Sequence, residues 1–284
     1  MCAASDGTLM CGSVADADLI DLSIGLVDGV ESEPFPPSVD AFDHEEGAER
    51  LAATLRSQGY DVDADDFPDG MGLAWEEVRA IAHAGTHLDA PWHYGPDVDG
   101  EPAKTIDEIP LEWCRGNAVV LDFRRKDPGD EISRADIAGA LADLDHDLSP
   151  GELVLIQTGA DELWGTPEYL TDFPGMSAAG TKFLVERGVR VIGTDAYGFD
   201  KPFATMGERY EETGDEVELW PAHLAGREVE YCQIEKMANL DALPRRTEVP
   251  IVAFPIEIEG GSAGWVRPVA MLDGRGGESG GETA

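Results

Sequence analysis

His83-Ala84-Gly85-Thr86-His87-Leu88-Asp89-Ala90-Pro91-Trp92-His93 is the stretch on which the reading of this chain turns, because it gathers three of the six histidines and an aspartate. Imidazole and carboxylate are the donors that a borderline divalent cation such as zinc or manganese prefers. Imidazole is also the side chain best suited to moving a proton near neutral pH. On a helix at about 100° per residue, His83 and His87 share a face but Asp89 and His93 rotate away from it. On an extended chain, positions 83, 87, 89 and 93 share parity, yet at ~3.3 Å per residue His83 would stand about 20 Å from Asp89. The segment must therefore curl to hold one ion, and Gly85 and Pro91 stand where curling is easiest. The expectation is a curved loop or strand end wrapped around a cation, not a regular element. The same spacing also fits a histidine-rich surface loop or a set of satisfied core histidines.

With every fixed position filled, His83-x-Gly85-Thr86-His87-x-Asp89-x-Pro91-x-His93 resembles the HxGTHxDxPxH signature of the cyclase family of metal-dependent hydrolases. That family includes bacterial kynurenine formamidases and isatin hydrolases. The resemblance runs from about Asp21 to about Met271. Asp21-Leu22-Ser23 is similar to the family's opening strand, and Thr158-Gly159 and Gly193-Thr194-Asp195 to its recurrent strand ends. Gly260 to Arg267 resembles its closing glycine-rich turn, with Trp265 where a proline is commoner. His223 and Glu235, followed by Asn239-Leu240, resemble the family's second histidine–carboxylate pair, twelve residues apart.

The resemblance implies a site. His83, His87 and Asp89 hold one metal, and His223 and Glu235 complete that set or hold a second ion. Asp89 and Glu235 are the natural bridging groups, and His93 is the catalytic acid/base. One or two ions of Zn2+ or Mn2+ per subunit are expected. Taken on their own residues, His223 is equally a surface histidine after Trp220-Pro221 and Glu235 one more acid among many. His44 and His146, in Asp43-His44-Glu45-Glu46 and Asp145-His146-Asp147, read as solvated.

Composition bounds the partners. The formal charge of −38 rules against nucleic acid, which needs clusters of lysine and arginine. A chain with 42% hydrophobic residues in patterned runs is not a disordered polyanion. Self-repulsion on this scale weakens the compact state at low ionic strength, and salt screens it. Only five of the twenty basic residues are lysine. An acidic, lysine-poor surface leads to the expectation of a cytoplasmic enzyme from a halophilic microbe. No apolar run approaches the ~20 residues that cross a bilayer, and no basic-then-apolar leader is seen. Cys2, Cys11, Cys114 and Cys232 show no metal or redox spacing and read as reduced thiols.

Along the chain, strands are expected at about 19–26, 74–82, 117–123, 152–157, 190–194, 228–234 and 249–256. Helices are expected over about 44–58, over 133–144 behind a Ser133/Asp136 cap, and over 177–186. With no repeat and no linker, residues 18–272 read as one domain between flexible ends at 1–17 and 273–284. Mixed strands and helices favour α/β or α+β. The resemblance narrows this to α/β, a swivelling β/β/α fold with a curved mixed sheet around the metal. Residues 200–221 look like a long polar insertion that covers the site, packs on another subunit, or is a solvated, salt-adapted loop.

The chemistry expected is attack of metal-activated water on an amide, formamide or lactam carbonyl, with His93 protonating the departing nitrogen. Thr86 steadies an oxyanion or shapes the turn. Trp92 and Tyr94 line an aromatic pocket or belong to the core. The substrate is a small molecule, an aromatic amide or lactam. Arylformamidase action on N-formylkynurenine is favoured, with isatin-hydrolase-like ring opening or a metal-dependent cyclase or dehydratase as alternatives. A structural metal protein is the non-enzyme alternative, opposed by His93, which is spare to the ligand set. The family implies a homo-oligomer, dimer or tetramer.

Overall fold

The computed structural model describes residues 17–272. Of the ends expected to be flexible, only Ala17 falls within that range; the remainder lies outside the described residues, as do Cys2 and Cys11. In chain order the strands are β1 (Asp18–Asp21), β2 (Ser38–Phe42), β3 (Trp75–Arg79), β4 (His87–Asp89), β5 (Asp97–Val98) and β6 (Glu101–Pro102). They continue with β7 (Arg115–Asp122), β8 (Glu131–Ile132), β9 (Leu153–Gln157), β10 (Gly175–Met176), β11 (Val191–Thr194) and β12 (Cys232–Glu235). The last three are β13 (Val249–Val252), β14 (Ala263–Trp265) and β15 (Val269–Leu272). The helices are α1 (His44–Ser57), α2 (Pro91–Tyr94), α3 (Arg134–Asp143), α4 (Ala178–Val185), α5 (Phe203–Thr213) and α6 (Pro221–Leu224). No helix among them is long and apolar enough to cross a membrane.

Nine strands form one curved mixed sheet in the order β1-β15-β13-β7-β9-β11-β12-β4-β14. The middle strands β7, β9, β11 and β12 are parallel, and antiparallel strands flank them on both sides. Helices α3 and α4 make the crossovers β7–α3–β9 and β9–α4–β11, as short parallel strands require. The strands are apolar on both faces because both are covered. Ala118, Val120, Leu153, Leu155 and Val191 enter one buried cluster, while their neighbours Val119, Leu121, Val154, Ile156 and Ile192 enter another beneath α3 and α4. This is the period of two expected of a strand.

The helix starts carry their own signals. The Asp43 carboxylate accepts from the Glu45 and Glu46 amides at 3.0 Å, and Glu46 accepts back from Asp43 N. Ser133 and Asp136 make the same reciprocal box at α3. Each cap contributes about 1 kcal/mol.

Four expectations are corrected. The first strand ends at Asp21, where Asp21 accepts from both Ser23 N and Ser23 Oγ and turns the chain. The strand expected at 74–82 exists as β3, but it pairs with β2 in a separate ribbon and all five residues are exposed. Residues 200–221 are no loop, since α5 and α6 fold there. His146 is not solvated; its Nε2 lies 3.0 Å from both oxygens of buried Glu152.

Candidate metal centre

The antiparallel register of β4 against β12 builds the centre. Glu235 stands opposite His87, and Gln233 opposite Asp89. Residues two apart on a strand share a face, and opposed residues on neighbouring strands point the same way, so these four side chains converge. Gly85, at φ +61°, makes the turn that returns His83 toward Asp89, and Pro91 starts the short α2 that carries His93. The segment does curl as expected, but through regular pieces: a turn, a three-residue strand and one helical turn. Trp220, at φ +50°, leads into α6, which brings His223 in from the other side.

Two donor sets overlap. The ligand atoms of His83, Asp89 and His93 lie within 4.8 Å of one another, and so do those of His87, Asp89 and Glu235. Asp89 is common to both. His223 Nε2 stands 3.5 Å from Glu235 Oε1 and 4.0 Å from Asp89 Oδ2, so it faces the second set. All five residues expected to be ligands are thus brought together, and His93 with them.

The hydrogen bonds test whether a cation fits. His87 Nδ1 lies 2.9 Å from Gly85 O, a carbonyl that only accepts, so the proton is on Nδ1 and Nε2 presents a lone pair. That lone pair points at Asp89 Oδ1 (3.3 Å) and Glu235 Oε2 (3.7 Å). His87 Nε2 is buried with no hydrogen-bond partner, and Asp89 Oδ1 has beside it only His83 Nδ1, at 2.8 Å and out of line for a hydrogen bond. Acceptors facing acceptors away from water are costly unless a cation lies among them. The set of imidazoles and carboxylates suits zinc or manganese.

Supporting residues complete the arrangement, and the sequence reading missed them. Asp200 accepts from Ala222 N at 2.6 Å, His223 N at 3.0 Å and His223 Nδ1 at 2.5 Å, fixing the ring with Nε2 inward. Burial opposes the His223 cation, but the Asp200 bond and charge, together with the Glu235 and Asp89 charges, outweigh it and push the pKa up to about 9. The Gln233 amide nitrogen donates to Asp89 Oδ2 (3.0 Å) and Glu235 Oε1 (3.1 Å) and lies 2.7 Å from His223 Nε2. Lys236, at φ +60°, donates to both oxygens of Glu33 and to His83 O, while Glu33 accepts from Gly85 N. The even spacing of Gln233 and Glu235 within a strand was a usable signal; Asp200, Glu33 and Lys236 carried none.

Electrostatics divides the carboxylates. Burial works against the Asp89 anion, but His93, His87 and His83 hold its pKa well below the usual range. Burial, reinforced by the Asp89 charge, raises Glu235. His93 is packed against His83 (centroids 4.2 Å) on one side and open to a cavity on the other. Burial of its inner side pushes it down to about 4; Asp89 opposes this and His83 adds to it.

That cavity, of about 350 Å³, opens on His83, His93, His223 and Glu235 and is walled by Phe173, Tyr197, Phe199, Phe203 and Trp220. The segment 200–221 therefore supplies part of the wall. Trp92 is exposed and outside the cavity, and buried Tyr94 stacks on Tyr231 at 4.9 Å, so neither lines it. Thr86 donates its hydroxyl proton to Lys236 O and accepts from Ile24 N at 2.8 Å. With its proton committed, Thr86 shapes the turn and borders a separate depression of about 480 Å³.

Known proteins resemble this chain in sequence and in fold. The family model Cyclase, described as "Putative cyclase", matches residues 20–201. An isatin hydrolase of Roseibium aggregatum is 25% identical over 221 residues, covering 72% of this chain and 77% of its own. A kynurenine formamidase of Salinibacter ruber is 29% identical over 199 residues, covering 68% and 77%. The structure of isatin hydrolase A from Labrenzia aggregata, solved with benzyl benzoate bound, superposes with a TM-score of 0.66 at 25% identity, covering 91% of this chain and 95% of that one.

Proposed function

The chain belongs to the cyclase family of metal-dependent hydrolases, and from that premise we propose that it hydrolyses a carbon–nitrogen bond in an aromatic amide, with N-formylkynurenine as the favoured substrate. The observation that carries the reading is the buried His87–Asp89–Glu235 donor set, with His83, His93 and His223 around it, at the foot of an aromatic-walled cavity. A structural metal site closes its coordination with protein groups and does not face a cavity of substrate size. The isatin hydrolase relative supports ring opening of a lactam as the second reading.

His83, His87, Asp89, His223 and Glu235 are the proposed ligands, with Asp200 and Gly85 O orienting the rings of His223 and His87. A divalent cation bound here supplies Lewis acidity, which polarises an amide carbonyl and acidifies water. His93 is the proposed proton carrier. Its depressed pKa keeps the imidazole neutral near pH 7, ready to accept a proton from the attacking water. It then returns that proton to the departing nitrogen, which is a poor leaving group as an anion. Tyr197, Phe203 and Trp220 hold the aryl ring and exclude water.

The test is metal content of protein purified in high salt, with N-formylkynurenine and isatin hydrolysis before and after chelation. Wild type is expected to bind metal and to lose turnover on chelation. His93→Ala is expected to keep the metal and lose roughly 100-fold or more in kcat. Loss of the metal in His93→Ala would make His93 a ligand and overturn its assigned role. Folded wild-type protein without metal affinity would overturn the whole reading.

A further inference from the structure

Among the cations that line the cavity, Lys201 is the one without a carboxylate at hydrogen-bond distance. Glu33 and Lys236 form a buried ion pair. Asp200 holds His223, and Glu235 faces His87 and His223. Lys201 remains. It lines the cavity with a side chain only 11% exposed, and the carboxylate paired with it, Glu218, is 3.8 Å away, beyond hydrogen-bond distance. Glu218 is also shared with Arg209, 3.3 Å from its other oxygen. The other four lysines, Lys104, Lys126, Lys182 and Lys236, each meet a carboxylate at 3.1 Å or closer. In a chain of net charge −38, a cation left without a close partner on the wall of a cavity stands apart.

Its place in the fold is fixed. A Cβ on Gly175 would lie 2.1 Å from Lys201 N, so the two backbones are in direct contact. Asp200 beside it is anchored to α6, and α5 begins two residues later. Phe203 and Trp220, with ring centroids 5.3 Å apart, stand on the same wall. An occupant therefore meets an aromatic surface, the histidine–carboxylate cluster and one ammonium group. The protein's own field repels anions, so an anionic group held away from the metal centre is stabilised only by a local cation.

We infer that Lys201 is the seat for a carboxylate on the substrate, carried on the part of an aromatic amide remote from the scissile bond. Resting on the hydrolase reading above, this separates its two substrates: N-formylkynurenine carries such a carboxylate and isatin carries none. Lys201 is then a specificity residue that acts on binding, and no step of the chemistry passes through it.

The test uses ligands that cannot be hydrolysed. Wild type, Lys201→Met, Lys201→Gln and Lys201→Arg, each shown folded by circular dichroism in molar KCl, are titrated calorimetrically with 4-phenylbutanoate and with neutral 4-phenylbutan-1-ol. Wild type is expected to bind the carboxylate about 10-fold tighter than the alcohol, as for a charge-assisted hydrogen bond. The preference is expected to vanish in Lys201→Met and Lys201→Gln, with alcohol binding unchanged, and to persist in Lys201→Arg. A preference that survives in Lys201→Met seats the carboxylate on the metal instead and overturns the inference. So does a wild type with no preference, or with affinity for neither ligand. Because binding needs no turnover, a failure of the hydrolase reading is scored separately, by absent amide hydrolysis.

Discussion

Lys236→Met is the substitution that tests most directly how the metal-binding segment is held. Lys236 and Glu33 are 3% and 4% exposed, and the ammonium donates to both Glu33 oxygens, at 2.8 and 2.7 Å, and to His83 O at 2.8 Å. Methionine fills much of the same volume but leaves Glu33 a buried anion with one donor, Gly85 N at 2.8 Å, and leaves the His83 carbonyl without one. Breaking a buried pair from one side costs about 3–5 kcal/mol, chiefly through the uncompensated charge. At roughly 2–4 °C per kcal/mol for a large domain, the melting temperature falls by about 10 °C. The partner change Glu33→Gln supplies the control. In Glu33→Gln/Lys236→Met the charge is gone, the glutamine oxygen still accepts from Gly85 N, and its NH2 replaces a donor. The double variant is expected to recover at least about 2 kcal/mol of the loss. Urea denaturation followed by circular dichroism in multimolar KCl measures all three, because salt screens surface pairs and leaves a buried one largely intact. Lys236→Met within about 1 kcal/mol of wild type, or a double variant no more stable than the single, would refute the reasoning.

Three further outcomes are expected. Asp200→Asn places an amide NH2 against the donors of Ala222 and His223; metal affinity, read by competition with a chromogenic chelator, falls roughly 10–100-fold, and unchanged affinity would remove Asp200 from the site. Because the folded-state pKa of His93 is depressed, its neutral form survives as pH falls below 6.5; at saturating metal the acid limb of kcat/KM should lie below 6.5, whereas a break at or above that value contradicts the assigned environment. With a net charge of −38, the melting temperature should rise with KCl, and equal melting in dilute buffer and multimolar salt would count against a salt-adapted surface.

What the sequence made legible was local or periodic. Ser133 with Asp136 announced α3, Ser177 announced α4, and the apolar runs at 117–123 and 152–157 became β7 and β9. The three-residue strands β4 and β14 lie below what periodicity resolves, although β4 carries two of the proposed ligands. Residues 200–221 read as a loop because acidic residues mask the pattern of α5, whose single buried side chain is Met206.

The site divides along the same line, for a physical reason. His83, His87 and Asp89 were legible because they fall in one window with His93, whereas His223 and Glu235 were reached only through the family resemblance. The residues that hold them in place share no such window. Glu33 reaches Lys236 across 203 positions, Thr86 reaches Lys236 across 150, and Asp200 reaches His223 across 23. Any buried acid with a suitable Cβ vector meets that need, so only the fold singles these residues out. Lys201 belongs with them: in the sequence it is one lysine between Asp200 and Pro202, and its meaning comes from the cavity it faces and from the close carboxylate partner it lacks. The ligand window fixes what class of chemistry the centre supports. Relatives under two names match the same chain at 25% and 29% identity, so the family by itself does not choose the substrate.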